Sequence, residues 1–196
     1  MSEITIPFHG GKLVVPENEA ARAWLDKVLK ATSDQSLPRI NMPPALGEYW
    51  AGEGGIFAGL MPDGNGGQYP LIASVDDFGP AEWGAYGQDE PGAKSDLDGY
   101  ANTRALIESK HAHPAAQFAT GYTKDGHSDF FLPAKRQISL CASTIPEKFE
   151  KAWYWTSTQS SADYAWSQYF TVGGQLTAYK SNGGRVRLVR RSNFKF

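Results

Sequence analysis

The chain has 196 residues, of which 41% are hydrophobic and 20% charged, with a formal charge of -2 and one cysteine. That size fits one domain, or one with a small appendage, at roughly 100–200 residues per domain, and its hydrophobic content excludes a disordered chain. The near-neutral charge excludes a general nucleic-acid binder, and Cys141 alone forms neither an intrachain disulfide nor a cysteine-based zinc site.

Ile4–Ile6 and Lys12–Val15 flank Gly10-Gly11 and read as a hairpin. Pro16 marks a helix start. Glu17–Ala31 follows with Ala20, Ala21, Trp24, Leu25, Val28 and Leu29 at helical spacing. Ser36–Pro44 carries three prolines and reads as a linker. Residues 1–45 are therefore expected to form an appendage of hairpin, helix and linker, and residues 46–196 the main domain.

From Gly47 the texture changes to short strands and turns. Glu48–Leu60 and Tyr69–Ser74 bracket Pro62–Gly67 as a hairpin, with a tight bend at Gly52–Gly55. Phe78–Asp98 is irregular. Tyr100–Lys110 suits a helix with Asn102 or Thr103 near its start, and Pro114–Ala119 a second, shorter one. Thr123–His127 reads as a turn, and Leu132-Pro133 opens a helix that runs through Cys141. The last quarter offers four strands, Trp153–Ser157, Tyr164–Thr171, Gln175–Lys180 and Val186–Arg190. Alternation in Arg185–Arg190 suggests that the last is half buried.

Charge is unevenly spread. Ten acids lie between Glu48 and Asp98, whereas Lys180, Arg185, Arg187, Arg190, Arg191 and Lys195 close the chain without an acid. Arg185, Arg187 and Arg190 either pair with the acidic middle or form an anion site.

Three stretches in order carry a resemblance. They are Gly47–Phe57 (GEYWAGEGGIF) with Asp63-Gly64 and Leu71–Ser74; Asp129–Ile138 (DFFLPAKRQI); and Tyr154–Thr158 (YWTST) with Ala165-Trp166, Lys180-Ser181 and Val186–Arg191 (VRLVRR). Together they resemble the Lcl C-terminal-domain family, which is common in phage and prophage proteins. The resemblance spans roughly Gly47 to Arg191. It implies an α+β, C-type-lectin-like fold of short mixed strands, two helices and long loops. Members of that fold are mostly binding modules: adhesins, glycan-binding domains and hypervariable receptors. Trimeric relatives make a homo-oligomer a further expectation.

The chemistry expected of the site follows from what is present. The sugar-binding signatures Glu-Pro-Asn and Trp-Asn-Asp are missing, and Asp76, Asp77, Asp96 and Asp98 lack EF-hand spacing. No cofactor is expected, calcium being the one candidate ion. His111 and His113 can share a face but show no third metal ligand. Cys141 sits in an apolar helical run and reads as an inert thiol, so no catalytic residue is expected.

Ligand binding remains. The candidate surface is Ser157, Gln159, Ser160, Asp163, Tyr164, Trp166, Gln168, Tyr169, Gln175, Thr177, Tyr179 and Asn182, extended by Arg185 and Arg187. Tyr164, Trp166 and Gln168 would share one sheet face, and aromatic, amide and hydroxyl groups together suit a sugar or protein partner. The expected function is recognition of a host protein or cell-surface glycan by a phage-encoded binder. The alternatives are an intracellular inhibitor of a host defence protein and a retroelement target with a diversified C-terminal loop. The first residues lack the basic and apolar regions of a signal peptide, and no apolar run approaches the roughly 18 residues of a membrane span. The expected location is the host cytoplasm or the virion, without membrane insertion.

Overall fold

The computed structural model describes residues 3–8, 11–16, 27 and 42–194. The chain divides into two units, Met1–Met42 and Pro43–Phe196. In the first, β1 (Glu3–Phe8) and β2 (Gly11–Pro16) pair antiparallel, with Ile4 opposite Val15 and Ile6 opposite Leu13. Pro16 ends β2. The expected helix Glu17–Ala31 lies outside the described residues apart from Lys27, which is helical.

The second unit is α+β, with two sheets. One holds β3 (Tyr49–Trp50), β4 (Gly55–Pro62), β5 (Gln68–Ser74) and β11 (Val189–Arg191), in the order β11-β5-β4-β3. The other holds β6 (Pro80–Glu82), β7 (Trp153–Gln159), β8 (Tyr164–Tyr169), β9 (Gln175–Tyr179) and β10 (Gly183–Arg185), in the order β6-β10-β7-β8-β9. Between β6 and β7 in sequence come α1 (Gly99–Glu108), a single turn α2 (Pro114–Gln117) and α3 (Lys135–Thr144).

The β4–β5 hairpin forms as expected. Asp63 closes it, its carboxylate accepting from the N–H groups of Asn65 at 2.8 Å and Gly67 at 2.9 Å. Gly55 is required there, because a Cβ would stand 2.3 Å from the Ala73 carbonyl oxygen. The first helix starts earlier than the sequence suggests. Asp98 caps α1 by accepting from Ala101 N–H at 3.0 Å. Asn102 and Thr103 instead turn inward, binding Ser95 and Leu132.

Alternation along β7 sends neighbouring side chains into different cores. Tyr154 joins Leu71, Phe131, Ile138 and Cys141, between the first sheet and α3. Trp155 joins Trp83, Leu106, Phe130, Leu132 and Leu188. A smaller cluster of Trp50, Phe57 and Ile72 covers the far side of the first sheet. β4 and β5 are therefore apolar on both faces, which explains their nearly unbroken hydrophobic runs.

The expected strand Val186–Arg190 does not exist as one element. Residues 183–185 belong to one sheet and 189–191 to the other. The chain crosses between them by bonding Val186 to Phe78 and Gly79, and Leu188 to Ser74. Val186, Leu188, Arg187 and Arg190 are all buried, so the segment is not half exposed. Local alternation records which residues oppose each other but not which sheet receives them.

The basic C-terminal stretch meets the acidic middle. Arg185 pairs with Asp77 at 2.9 Å, Arg190 with Glu53 at 2.5 Å and Asp129 at 2.8 Å, and Arg191 with Asp98 at 2.7 Å. Arg187 is buried and has carbonyl partners instead: it donates to the carbonyls of Ser74, Val75 and Lys148 and lies over the Phe149 ring. Among the described residues, no helix is long and apolar enough to cross a membrane.

Candidate functional site: an aromatic face on the last hairpin

β8 and β9 pair with Tyr164 opposite Tyr179, Trp166 opposite Thr177 and Gln168 opposite Gln175. Directly opposed residues in an antiparallel pair point to the same face. Six of the expected site residues therefore converge there. The Tyr164 and Tyr179 rings stack at 4.5 Å between centroids, and Tyr86 adds a third ring 5.9 Å from Tyr179. Tyr86 and Tyr179 are about half exposed. A hydrogen bond to Tyr179, together with burial, pushes the Tyr164 hydroxyl up to about 12. At the other end, Lys135 at the start of α3 sets its Nζ 3.5 Å from the centre of the Trp166 ring. Gln175 donates to the Lys135 carbonyl at 2.7 Å, which ties β9 to that helix start.

Tyr86 was not singled out from the sequence. It stands in an irregular loop whose position is set by contacts distant in the chain. Gly87 N–H donates to Ala162 O at 3.1 Å, in the β7–β8 turn. Gly84 has φ +98, and a Cβ there would meet Ala112 O at 2.1 Å, so only glycine lets the loop lie this close. The available signal was the motif Trp83-Gly-Ala-Tyr-Gly87, an aromatic between two glycines. Lys135 was likewise missed, because its approach to Trp166 depends on how α3 meets the second sheet.

A buried polar network holds that loop from beneath. Lys180 is fully buried and donates to Gln88 O and to Gln159 Oε1, each at 2.7 Å, with its Nζ 4.7 Å from the Trp83 ring centre. Burial pushes its amine down to about 8. Glu90 accepts from Ser109 Oγ at 2.9 Å, and its Oε1 also meets His111 Nδ1 at 2.8 Å and His113 Nε2 at 3.1 Å. Burial works to raise the Glu90 carboxyl, but these three partners bring it below its ordinary value. Burial holds His113 below its own.

Several expected site residues are not available to a ligand or lie elsewhere. Ser157, Gln159, Gln168 and Arg187 are buried and present no surface to a ligand. Ser157 accepts from Asn102, and Gln159 bridges Lys180, Glu90 and Asp89. Gln168 lies on the correct face but spends its amide N–H groups on Gly173 O and Gly174 O in the hairpin turn. Arg185 is engaged by Asp77. Tyr169 opposes Trp153 on the β7 side. Ser160 and Asn182 are exposed in turns at the end of the hairpin, with Asp163 half-buried beside them. Polarity in the sequence did not distinguish groups that hold the loop from groups that face solvent.

The second unit also has clefts away from this face. A cleft of about 310 Å³ lined by Tyr100, Arg104, Ile107, Phe130 and Phe131 lies on the α1 side. Cys141 is buried, which pushes its thiol up to about 12. Among the described residues, no group of three or more His, Cys, Asp or Glu is placed to hold a metal ion. The hairpin face is aromatic and partly exposed. No family model matches the chain, and no curated protein matches it.

Proposed function

We propose that this chain is a non-enzymatic binding protein, of C-type-lectin-like fold and Lcl C-terminal-domain type, encoded by a phage. It recognises a host-surface glycan or protein through the β8–β9 face. The ordered motifs from Gly47 to Arg191 support the family assignment, and the two-sheet α+β arrangement agrees with it. The reading rests chiefly on one observation: Tyr86, Tyr164 and Tyr179 form a partly exposed ladder whose members come from two separate parts of the chain. Rigid, half-exposed tyrosines give large contact area at low entropic cost, with a hydroxyl at the tip for sugars or polar protein groups.

The test is capture of host envelope material and soluble lysate by tagged full-length protein, next to the Tyr164→Ala/Tyr179→Ala variant. Loss of aromatic anchors at a contact centre costs about 2 kcal/mol or more, so envelope capture should fall at least thirtyfold. Near-equal recovery of one soluble host protein, unchanged in the variant, would replace the surface-recognition reading with an inhibitor acting inside the cell.

A further inference from the structure

The tripeptide Asn-Gly-Gly occurs twice, as Asn65-Gly66-Gly67 and as Asn182-Gly183-Gly184. An asparagine followed by glycine carries a latent reaction. The glycine nitrogen can attack the asparagine side-chain carbonyl, because no glycine side chain obstructs the approach. Closing that five-membered ring requires the backbone at the pair to swing out of its resting geometry. The local sequence is the same at both places, so only the fold separates them.

The two settings differ in how firmly the backbone is held. Asn65 and Gly66 are exposed at the tip of the β4–β5 hairpin. Gly64 has φ +82 and Gly66 φ +88, and a Cβ at either would meet nothing within 4 Å. Among the described residues, neither the Asn65 side-chain amide nor the Gly66 N–H has a hydrogen-bond partner. The Asp63 carboxylate binds the N–H groups of Asn65 and Gly67 and leaves that of Gly66 free. Asn182 is exposed as well, yet Gly183 is the first residue of β10, opposite Glu82 of β6. β10 lies between β6 and β7, and Gly184 is packed so closely that a Cβ would strike the Trp153 ring. Asn182 N–H is itself tied to Tyr179 O at 2.8 Å. Ring closure at Asn182 therefore needs the strand to be released first, and ring closure at Asn65 does not.

We propose that Asn65-Gly66 is a site of spontaneous isoaspartate formation, and that the fold shields Asn182-Gly183 from the same reaction. Water is the only co-reactant. A solvent base takes the Gly66 N–H proton, and the nitrogen bonds to Asn65 Cγ. The Cγ–Nδ2 bond breaks, and ammonia leaves with a proton from water. Water then opens the cyclic imide. Opening at the former side-chain carbonyl gives aspartate, and opening at the backbone carbonyl gives isoaspartate, whose main chain runs through the side-chain carbons. Nothing is oxidised or reduced. Isoaspartate adds a main-chain atom and a carboxylate inside a turn that Asp63 N–H closes on Gly67 O at 3.0 Å, so the turn loosens. The new carboxyl is exposed, within reach of a methyltransferase that accepts isoaspartyl groups. The reaction needs no ligand, so it stands or falls separately from the recognition reading above.

The experiment incubates full-length protein in warm, mildly alkaline buffer, folded and in concentrated urea. Peptide mapping by mass spectrometry reads the exchange of NH2 for OH at each asparagine, and enzymatic methyl transfer counts isoaspartate. In the folded protein Asn65 should convert at least about tenfold faster than Asn182, since even a modest cost of opening β10 slows the latter by that much. In urea the two rates should converge. Asn65→Gln, whose side chain must close a larger ring and does so slowly, should remove most of the methyl-accepting signal from the folded protein, with circular dichroism confirming the fold. Conversion at Asn182 that matches or precedes Asn65 in the folded protein overturns the proposal. So does an Asn65 that stays intact when folded, a difference between the two that persists in urea, or a signal that survives Asn65→Gln in full.

Discussion

Replacing Lys180 with Met removes a buried charge while keeping a side chain of similar length. In the folded chain burial holds the amine at about 8, against 10.5 for an ordinary lysine. Its hydrogen-bond partners are neutral oxygens, those of Gln88 and Gln159, and Glu90, Asp89 and Asp163 only partly offset its burial. Between those two pH values the unfolded chain holds more protons than the folded one, so stability rises with pH. At about 1.4 kcal/mol per pH unit, the gap corresponds to ~3 kcal/mol. Of that, roughly 2 kcal/mol is recovered between about pH 7 and 9.5. Urea midpoints followed by circular dichroism over that window measure it. With about 2 kcal/mol per molar urea, the wild-type midpoint should climb by ~1 M relative to Lys180→Met. The window stops short of the tyrosines, whose ordinary value is 10.0, and taking the difference between the two proteins cancels groups they share. A difference that stays flat, or an equal climb in the variant, would show that the Lys180 amine is not held by its buried site.

Three further outcomes are expected. Arg190→Met leaves Glu53 and Asp129 without their buried partner and should cost about 3 kcal/mol or more in urea unfolding, whereas Arg191→Met, at a half-exposed pair with Asp98, should cost less than about 1 kcal/mol. Cys141, buried and raised to about 12, should resist a disulfide reagent at about pH 8 in the native protein and react fully in urea. His113 is held below 6.5 and Glu90 below 4.5, so both contribute stability above their unfolded values that is lost on acidification; urea midpoints should decline from about pH 7 to 5, less steeply in His113→Asn.

Much of the secondary structure could be read directly from the residues. The β1–β2 and β4–β5 hairpins, α3 and the strands at Trp153, Tyr164 and Gln175 announce themselves through turn residues and periodicity, which act over a few positions. That Tyr164, Trp166 and Gln168 share one face was equally legible, since a strand's side chains alternate whatever surrounds it, whereas the register that adds Gln175, Thr177 and Tyr179 to that face came from the paired strands. Pairing of the acidic middle with the basic end was one of two open readings of the charge asymmetry, and proximity in the fold selected it.

Other features have no local signature. Whether Gln159 faces solvent depends on the loop from Trp83 to Glu90 lying across β7, and Ser157 is held by Asn102 of α1; a polar side chain looks the same in sequence in either setting. The division of 183–191 between two sheets depends on where Ser74, Gly79 and Phe131 wait to receive it. Tyr86 enters the aromatic ladder because Gly87 binds Ala162, a residue 75 positions away. By itself the sequence determined the short-range conformations and the supply of aromatic and polar groups. Only the tertiary structure decided which of those groups were consumed in holding the fold and which were left at its surface, because burial and hydrogen-bond partnership are set by contacts between segments far apart in the chain.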